Sequence, residues 1–239
     1  MENFEFVSPT HFVFGRGAEE QVGEKLAAAG AKRVLVHFGG GSAVASGLID
    51  RVGASLDAAG IEHLELGGVA RTPEITLVRE GVRLCKEANV DWVLAVGGGS
   101  VIDTTKGAAA SISVGNRDIA ELQGAEILQN DLDPLIAIPT TAGTGSEVTL
   151  VAVIADEEAH EKLSYTSYKL VPHVAFLDPL LTASLPPKLT ATTGVDALTH
   201  AIEAYTSIQK NPVSDALARQ AIALISEKSR ALLRRAREP

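Results

Sequence analysis

Cysteine and positive charge are both scarce in this sequence. Cys85 is the single cysteine among 239 residues, so an intrachain disulfide and a four-cysteine zinc site are both excluded. Basic residues are outnumbered, with 21 Lys and Arg against 30 Asp and Glu and a formal net charge of −9. Binding to nucleic acid or to an anionic membrane depends on clustered positive charge. The composition therefore disfavours both kinds of partner, and a reducing compartment is the simplest expectation.

We expect neither a secretory signal nor a membrane-spanning segment in this sequence. The first residues, Met-Glu-Asn-Phe-Glu-Phe, carry acids where a secretory signal would carry Lys or Arg. No uncharged apolar run approaches the roughly 18 residues that a bilayer-spanning helix needs. We therefore expect a soluble, cytoplasmic protein.

Short apolar runs bounded by glycine recur along the first two thirds of the chain. Examples are Arg33 to Phe38, Trp92 to Val96 and Leu135 to Ile138, and segments of helical length separate the first two. Buried parallel strands have this pattern, which predicts an α/β fold with a Rossmann-like, doubly wound parallel sheet. After about residue 185 only helical signals remain. We predict an α/β domain over residues 1–184 and a helical domain over residues 185–239.

Two glycine-rich turns follow predicted strands. The first contains Gly39 and Ser42, and the second runs from Gly97 through Gly98 and Gly99 to Ser100. Neither fits the dinucleotide fingerprint G-x-G-x-x-G. Glycines at a strand-to-helix turn still allow backbone N–H groups to approach an anion, and the helix N-terminus favours negative charge. A pyrophosphate suits such turns, although a tight turn without a ligand is the alternative reading.

Hydroxyl groups are concentrated in a third turn, from Pro139 to Glu147. Thr140, Thr141 and Thr144 lie in it among glycines. The loop offers many donors and acceptors, as recognition of a ribose and a base requires. A solvated loop is the alternative.

Asp196 and His200 are a candidate metal-binding pair. They are spaced i, i+4, so on a helix both side chains emerge on one face. A carboxylate oxygen and an imidazole nitrogen can bind one divalent cation. From spacing alone, an ordinary helical Asp–His pair is the commoner case. The other histidines show no comparable arrangement, and we interpret them as satisfied or solvated: His11, His37, His63, His160 and His173.

Four motifs in order resemble the iron-containing (group III) alcohol dehydrogenase family. They are Gly97-Gly98-Gly99-Ser100-x-x-Asp103-x-x-Lys106, Pro139-Thr140-Thr141-x-Gly143-Thr144-Gly145-Ser146-Glu147, Asp178-Pro179, and Gly194-Val195-Asp196-Ala197-Leu198-x-His200-x-x-Glu203. The resemblance covers essentially the whole chain. The turn after Phe38 and the segment Leu66-Gly67-Gly68-Val69 are most similar to the NAD(P)H-dependent butanol dehydrogenase or aldehyde reductase branch.

The resemblance implies an NAD(P)H site in the α/β domain. Gly98, Gly99 and Ser100 would hold the pyrophosphate, and Asp103 would lie beside the nicotinamide half. The adenine and ribose side would be lined by Thr140, Thr141 and Thr144, while Val153 and Lys162 would also face the cofactor. Gly39 is aligned with the aspartate of NAD-specific members. With no carboxylate there and with Ser42 as a donor, NADPH is expected to be accepted at least as well as NADH.

The resemblance also implies a divalent metal, Fe²⁺ or Zn²⁺, with Asp196 and His200 as its first two ligands. The family adds two further histidines downstream, whereas no histidine follows His200 in this sequence. The chain therefore looks C-terminally truncated, and we expect such a chain to bind the cofactor with little turnover.

The implied activity is metal-assisted hydride transfer between NAD(P)H and a small alcohol or aldehyde, in a homo-oligomer. Two alternatives stay open. One is an enzyme similar to maleylacetate reductase, which a basic cluster near the metal pair would favour. The other is a non-catalytic nucleotide-binding fragment that lacks half of the metal site.

Overall fold

Strands and helices alternate along most of the chain in a computed structural model, which describes residues 3–70, 72–115, 117–125, 128 and 134–235. The strands are β1 (His11–Phe14), β2 (Arg33–Gly39), β3 (Glu62–Val69), β4 (Trp92–Gly97), β5 (Gly124–Ala125), β6 (Leu135–Pro139), β7 (Val151–Asp156), β8 (Glu161–Thr166) and β9 (Val174–Leu177). The α-helices are α1 (Val22–Ala28), α2 (Ser42–Ala45), α3 (Leu48–Ala58), α4 (Ile75–Ala88), α5 (Gly99–Ser113), α6 (Pro187–Thr206) and α7 (Pro212–Arg235).

The chain divides into two compact units. The larger contains Pro9–Thr140 and Ser146–Leu181. The smaller contains the segment that ends at Ser8, the loop Thr141–Gly145 and the chain from Thr182 onward. A domain boundary near Ser184 stays a prediction. A division at one position does not account for the loop Thr141–Gly145, which belongs to the same unit as the chain from Thr182 onward.

The main sheet of the larger unit is parallel, with the strand order β1-β9-β6-β4-β2-β3. From β2 the chain moves outward to β3, and it then returns to β4 on the other side of β2. The direction of winding therefore reverses between β2 and β4. This reversal defines a doubly wound sheet and creates a crevice at the carboxyl ends of these two strands.

Alternating side chains on the central strands build a core on each face of the sheet. Val34 and Val36 of β2 pack in a cluster with residues of α1 and α3. Leu35, between them, packs in a second cluster with residues of α4 and α5. Because helices cover both faces, the central strands are predominantly apolar rather than alternately polar. Cys85 is buried in this second cluster.

A smaller sheet, in the order β5-β8-β7, lies within the same unit. Strands β7 and β8 form an antiparallel hairpin in which Val153 pairs with Ser164 and Ala155 pairs with Lys162. In the smaller unit, α6 and α7 pack on each other. Within the residues that the structure describes, no helix is both long and apolar enough to cross a membrane.

Candidate cofactor and metal sites

Both predicted glycine turns lie where the direction of winding reverses. In the register of the sheet, Phe38 at the end of β2 is opposite Val96 at the end of β4. The first turn follows β2, and the second follows β4. Open α/β sheets bind ligands in the crevice at this position. The topology therefore places the two turns beside each other at the expected binding edge.

The second turn leads directly into the N-terminus of α5. Gly98 is the N-cap residue, and its backbone is extended, with φ −78° and ψ −174°. Its carbonyl oxygen accepts hydrogen bonds from the backbone of Val101 at 3.0 Å and of Ile102 at 3.2 Å. A Cβ atom on Gly97 would lie 2.4 Å from Val101 Cγ2, so packing alone requires glycine at that position. Gly99, the first residue of α5, is buried.

The first turn leaves space for a side chain. A Cβ atom on Gly39 would meet Val101 Cγ2 at 3.5 Å, which is ordinary van der Waals contact. Gly40 and Gly41 face open space, and the exposed Ser42 begins α2. A Cβ atom at position 39 is therefore tolerated.

Asp103 contacts another predicted cofactor-site residue. Its Oδ1 accepts a hydrogen bond from Ser146 Oγ at 3.0 Å, and its Oδ2 accepts one from the backbone N–H of Val153 at 3.1 Å. Burial raises the pKa of the Asp103 carboxyl group, while the nearby Lys106 ammonium and both hydrogen bonds act in the opposite direction. The hydrogen bond from Val153 to the Asp103 carboxylate thus connects β7 to α5.

Lys106 also connects α5 to β7, although the sequence predicted no role for it. Its side chain is fully buried, and Nζ donates to the carbonyl oxygens of Thr149 and Val151, both at 2.8 Å, and to Thr149 Oγ1 at 3.2 Å. Burial lowers the pKa of Lys106 to about 8, although the carboxylates of Asp103 and Glu147 oppose that shift. The sequence signal for a buried role of Lys106 was its place one helical turn after Asp103, in a segment rich in alanine and glycine.

The other predicted cofactor-site residues are divided between the units. Thr140 belongs to the larger unit, where its backbone N–H donates to the carbonyl oxygen of Gly97 at 3.0 Å. Thr141 and Thr144 belong to the smaller unit. Lys162 is exposed on β8, and the exposed Val153 lies on the paired strand β7.

The predicted metal pair lies on α6, with both side chains on one face. Asp196 Oδ1 and His200 Nε2 are 3.9 Å apart, and about half of each side chain is exposed. His200 Nδ1 lies 3.0 Å from the carbonyl oxygen of Gly143. A carbonyl oxygen can only accept, so Nδ1 carries a hydrogen, and in the neutral imidazole the lone pair is then on Nε2. The donor set of one carboxylate and one imidazole fits Fe²⁺ or Zn²⁺.

This pair does not by itself make a complete metal site. In the described part of the chain, no group of three or more His, Cys, Asp or Glu side chains could hold a metal ion.

Among the other histidines, His37 has a hydrogen-bond partner at only one of its two ring nitrogens in the described residues. Its Nδ1 lies 3.2 Å from Thr105 Oγ1, whereas its Nε2 has no hydrogen-bond partner in the described residues. Burial lowers the pKa of His37 to about 4, so its imidazole is neutral at physiological pH.

Comparison with known proteins shows the family. Residues 9–179 match the family described as Iron-containing alcohol dehydrogenase, and residues 190–238 match the C-terminal part of the Fe-containing alcohol dehydrogenase family. The chain therefore belongs to the iron-containing alcohol dehydrogenase family. The predicted family and the predicted α/β fold class are confirmed.

Individual relatives cover nearly all of this chain. It is 43% identical over 219 residues to a choline dehydrogenase of Bacillus subtilis (strain 168), with 91% of this chain and 54% of the relative covered. It is 40% identical over 228 residues to a 1,3-propanediol dehydrogenase of Klebsiella pneumoniae, with 95% and 59% covered. The chain thus spans between half and three fifths of the length of these relatives.

Solved structures give the same result for the fold. The structure of a 1,3-propanediol oxidoreductase is 38% identical with a TM-score of 0.92, over 97% of this chain and 60% of that one. NADH-dependent butanol dehydrogenase A from Thermotoga maritima is 36% identical with a TM-score of 0.89, over 97% and 58%.

Proposed function

We propose that the protein is a metal-dependent oxidoreductase that transfers hydride between NAD(P)H and a small alcohol or aldehyde. Family membership supports this proposal, and similar proteins are named for propanediol, butanol and choline dehydrogenation. The observation that carries it is the Asp196–His200 pair, in which the hydrogen bond to Gly143 leaves the Nε2 lone pair of His200 available.

We assign NAD(P)H binding to the crevice at the ends of β2 and β4. The pyrophosphate is assigned to Gly98, Gly99 and Ser100, in the turn that begins at Gly97, where the N-terminus of α5 offers backbone N–H groups and a partial positive charge. The ribose and base are assigned to Thr140, Thr141 and Thr144, with Val153 and Lys162 also facing the cofactor. Bound NAD(P)H supplies the hydride at C4 of its nicotinamide ring.

The proposed role of Asp103 follows from its contacts. Because both carboxylate oxygens are engaged by Ser146 and Val153, the side chain positions the segment beside the nicotinamide half and is not a free general base. The 2′ position of the adenosine ribose is assigned to Gly39 and Ser42. The missing carboxylate at position 39 leaves room for a 2′-phosphate, which supports acceptance of NADPH.

We assign metal binding to Asp196 and His200. A divalent metal held there supplies a Lewis acid that polarises the oxygen of the substrate. Catalytic sites generally use three or more protein ligands, so the proposal requires at least one ligand besides the pair. Fe²⁺ and Zn²⁺ both remain compatible with one carboxylate and one imidazole. We further propose a cytoplasmic homo-oligomer, to be checked by light scattering on the purified protein.

The metal pair is tested by His200→Ala in the intact protein. The matched control is His160→Asn, because His160 is exposed with φ +55° and asparagine tolerates this conformation. We expect His200→Ala to lose its metal on dialysis and to lose at least about 100-fold in aldehyde-dependent NADPH oxidation, roughly 2.7 kcal/mol. Its NADPH affinity, measured by fluorescence, should be unchanged, and the control should match the parent. Retention of stoichiometric metal and turnover in His200→Ala would contradict the proposal.

A further inference from the structure

The loop Thr141–Gly145 contacts α6 at the proposed metal ligands, within the smaller unit. The carbonyl oxygen of Gly143 accepts the hydrogen of His200 Nδ1 across a sequence separation of 57 residues. Which ring nitrogen of a histidine binds a metal is determined by the hydrogen bond that the other nitrogen makes. Here that bond leaves the lone pair of Nε2, the nitrogen on the side of Asp196, available to bind a metal.

Gly143 also approaches the other proposed ligand closely. A Cβ atom on Gly143 would lie 2.8 Å from Asp196 Oδ2 and 2.7 Å from the carbonyl oxygen of Thr193. The second of these atoms belongs to the backbone of α6 and cannot rotate away. The backbone of Gly143 has φ +104°, a conformation that disfavours any residue with a side chain. Two independent features therefore favour glycine at position 143.

We propose that Gly143 is a positioning residue for the metal site. Its carbonyl oxygen holds the His200 ring in the tautomer and orientation that present Nε2. Its missing side chain allows the loop to lie against the Asp196 carboxylate without displacing it. This inference rests on the proposed function, since it takes Asp196 and His200 as metal ligands. Loss of such a supporting contact typically weakens metal binding about 10- to 100-fold.

The first test measures the tautomer of His200 in the metal-free parent protein. Nitrogen-15 NMR on histidine-labelled protein, at a pH of about 8 where an ordinary imidazole is neutral, distinguishes protonated Nδ1 from protonated Nε2. The His200 signal is assigned by its absence in His200→Ala. We expect hydrogen on Nδ1, and hydrogen on Nε2 would overturn the proposal. This measurement needs no variant of the loop, so it decides even where Gly143→Ala does not fold.

The second test compares Gly143→Ala with Gly60→Ala by titration with Co²⁺ and visible absorption. Gly60 has φ +71°, and a Cβ atom there would meet open space, so its variant controls for backbone strain alone. We expect Gly143→Ala to bind Co²⁺ at least about tenfold more weakly, roughly 1.4 kcal/mol, with an altered spectrum, and Gly60→Ala to match the parent.

Unchanged affinity and spectrum in folded Gly143→Ala would overturn the positioning role and leave the proposed function intact. A third variant separates the two failures. If His200→Ala binds Co²⁺ as tightly as the parent does, the assignment of the metal pair itself is wrong, and the role of Gly143 fails with it.

Discussion

The buried ammonium group of Lys106 gives a prediction that connects pH with stability. Lys106 has no exposed surface, and its Nζ donates three hydrogen bonds to Thr149 and Val151. We consider Lys106→Met, because methionine has a similar length and fills irregular apolar space. The variant removes the hydrogen bonds and also removes the cost of burying a charge. These two effects have opposite signs and depend differently on pH.

The burial cost follows from the lowered pKa of Lys106, about 8 against an ordinary 10.5. A shift of 10.5 − 8 = 2.5 pKa units corresponds to about 3 kcal/mol. Because the unfolded chain keeps the proton to higher pH than the folded chain does, stability rises with pH between these two values. The contribution of Lys106 is complete above the unfolded pKa and is lost as the pH falls through about 8.

Hydrogen bonds from a charged donor contribute about 1.5–3 kcal/mol each. The lowered pKa of Lys106 already includes the bonds that its charged form makes, so these bonds do not count a second time against the burial cost. The growth with pH of the difference between parent and Lys106→Met, and not its sign at one pH, is therefore the expected result. The difference in unfolding free energy between parent and variant should then grow by roughly 2 to 3 kcal/mol between about pH 7 and about pH 10.

Urea unfolding at several pH values across this range measures the difference directly. Lys25→Met is the matched control, since Lys25 is an exposed lysine on α1, and its difference from the parent should show no such growth. Subtracting each variant from the parent cancels the titration of groups that do not interact with the substituted lysine, whereas the carboxylates of Asp103 and Glu147 do interact with Lys106. A flat difference for Lys106→Met would refute the assignment of a buried ammonium group with a lowered pKa.

Two further predictions concern the glycine turns. Gly39→Asp should weaken NADPH binding relative to NADH at least about tenfold, roughly 1.4 kcal/mol, because the Cβ atom of the new residue makes only ordinary contact with Val101 and its carboxylate repels a 2′-phosphate. Fluorescence titration of both nucleotides measures this ratio, and a parent that already prefers NADH by more than about tenfold would contradict the reasoning. Gly99→Ala should weaken both nucleotides at least about tenfold, because a Cβ atom at the first residue of α5 obstructs the pyrophosphate. Unchanged affinity in a folded Gly99→Ala protein would rule out that assignment.

The central strands could be predicted because both of their faces are buried. The apolar runs Arg33 to Phe38 and Trp92 to Val96 became β2 and β4, with ends that differ by one residue. The same reasoning could not find the hairpin of β7 and β8. Its turn reverses at His160, a non-glycine residue with φ +55°, and so lacks the usual Asn-Gly or Asp-Gly signal.

The sequence could indicate the residues of the candidate site, but it could not indicate the contacts between them. The i, i+4 spacing of Asp196 and His200 placed both on one helix face, because helical periodicity is local. The contact between His200 and Gly143 depends on how a distant loop packs on α6, and no local pattern encodes that. The glycine at position 143 was visible in the sequence, although its positive φ and its closeness to Asp196 were not.

The motif that begins at Gly97 combines two physical tasks in one helix. Its glycines and Ser100 form the turn into the N-terminus of α5, where the partial positive charge of the helix favours an anion. Asp103 and Lys106 lie further along the same helix and hold the segment from Ser146 to Val153 through hydrogen bonds. Substitution of Lys106 would therefore alter nucleotide binding only through the placement of that segment, whereas substitution of Gly99 would act on the phosphate directly. The two variants should differ accordingly: only Lys106→Met should couple a loss of affinity to a pH-dependent change in stability.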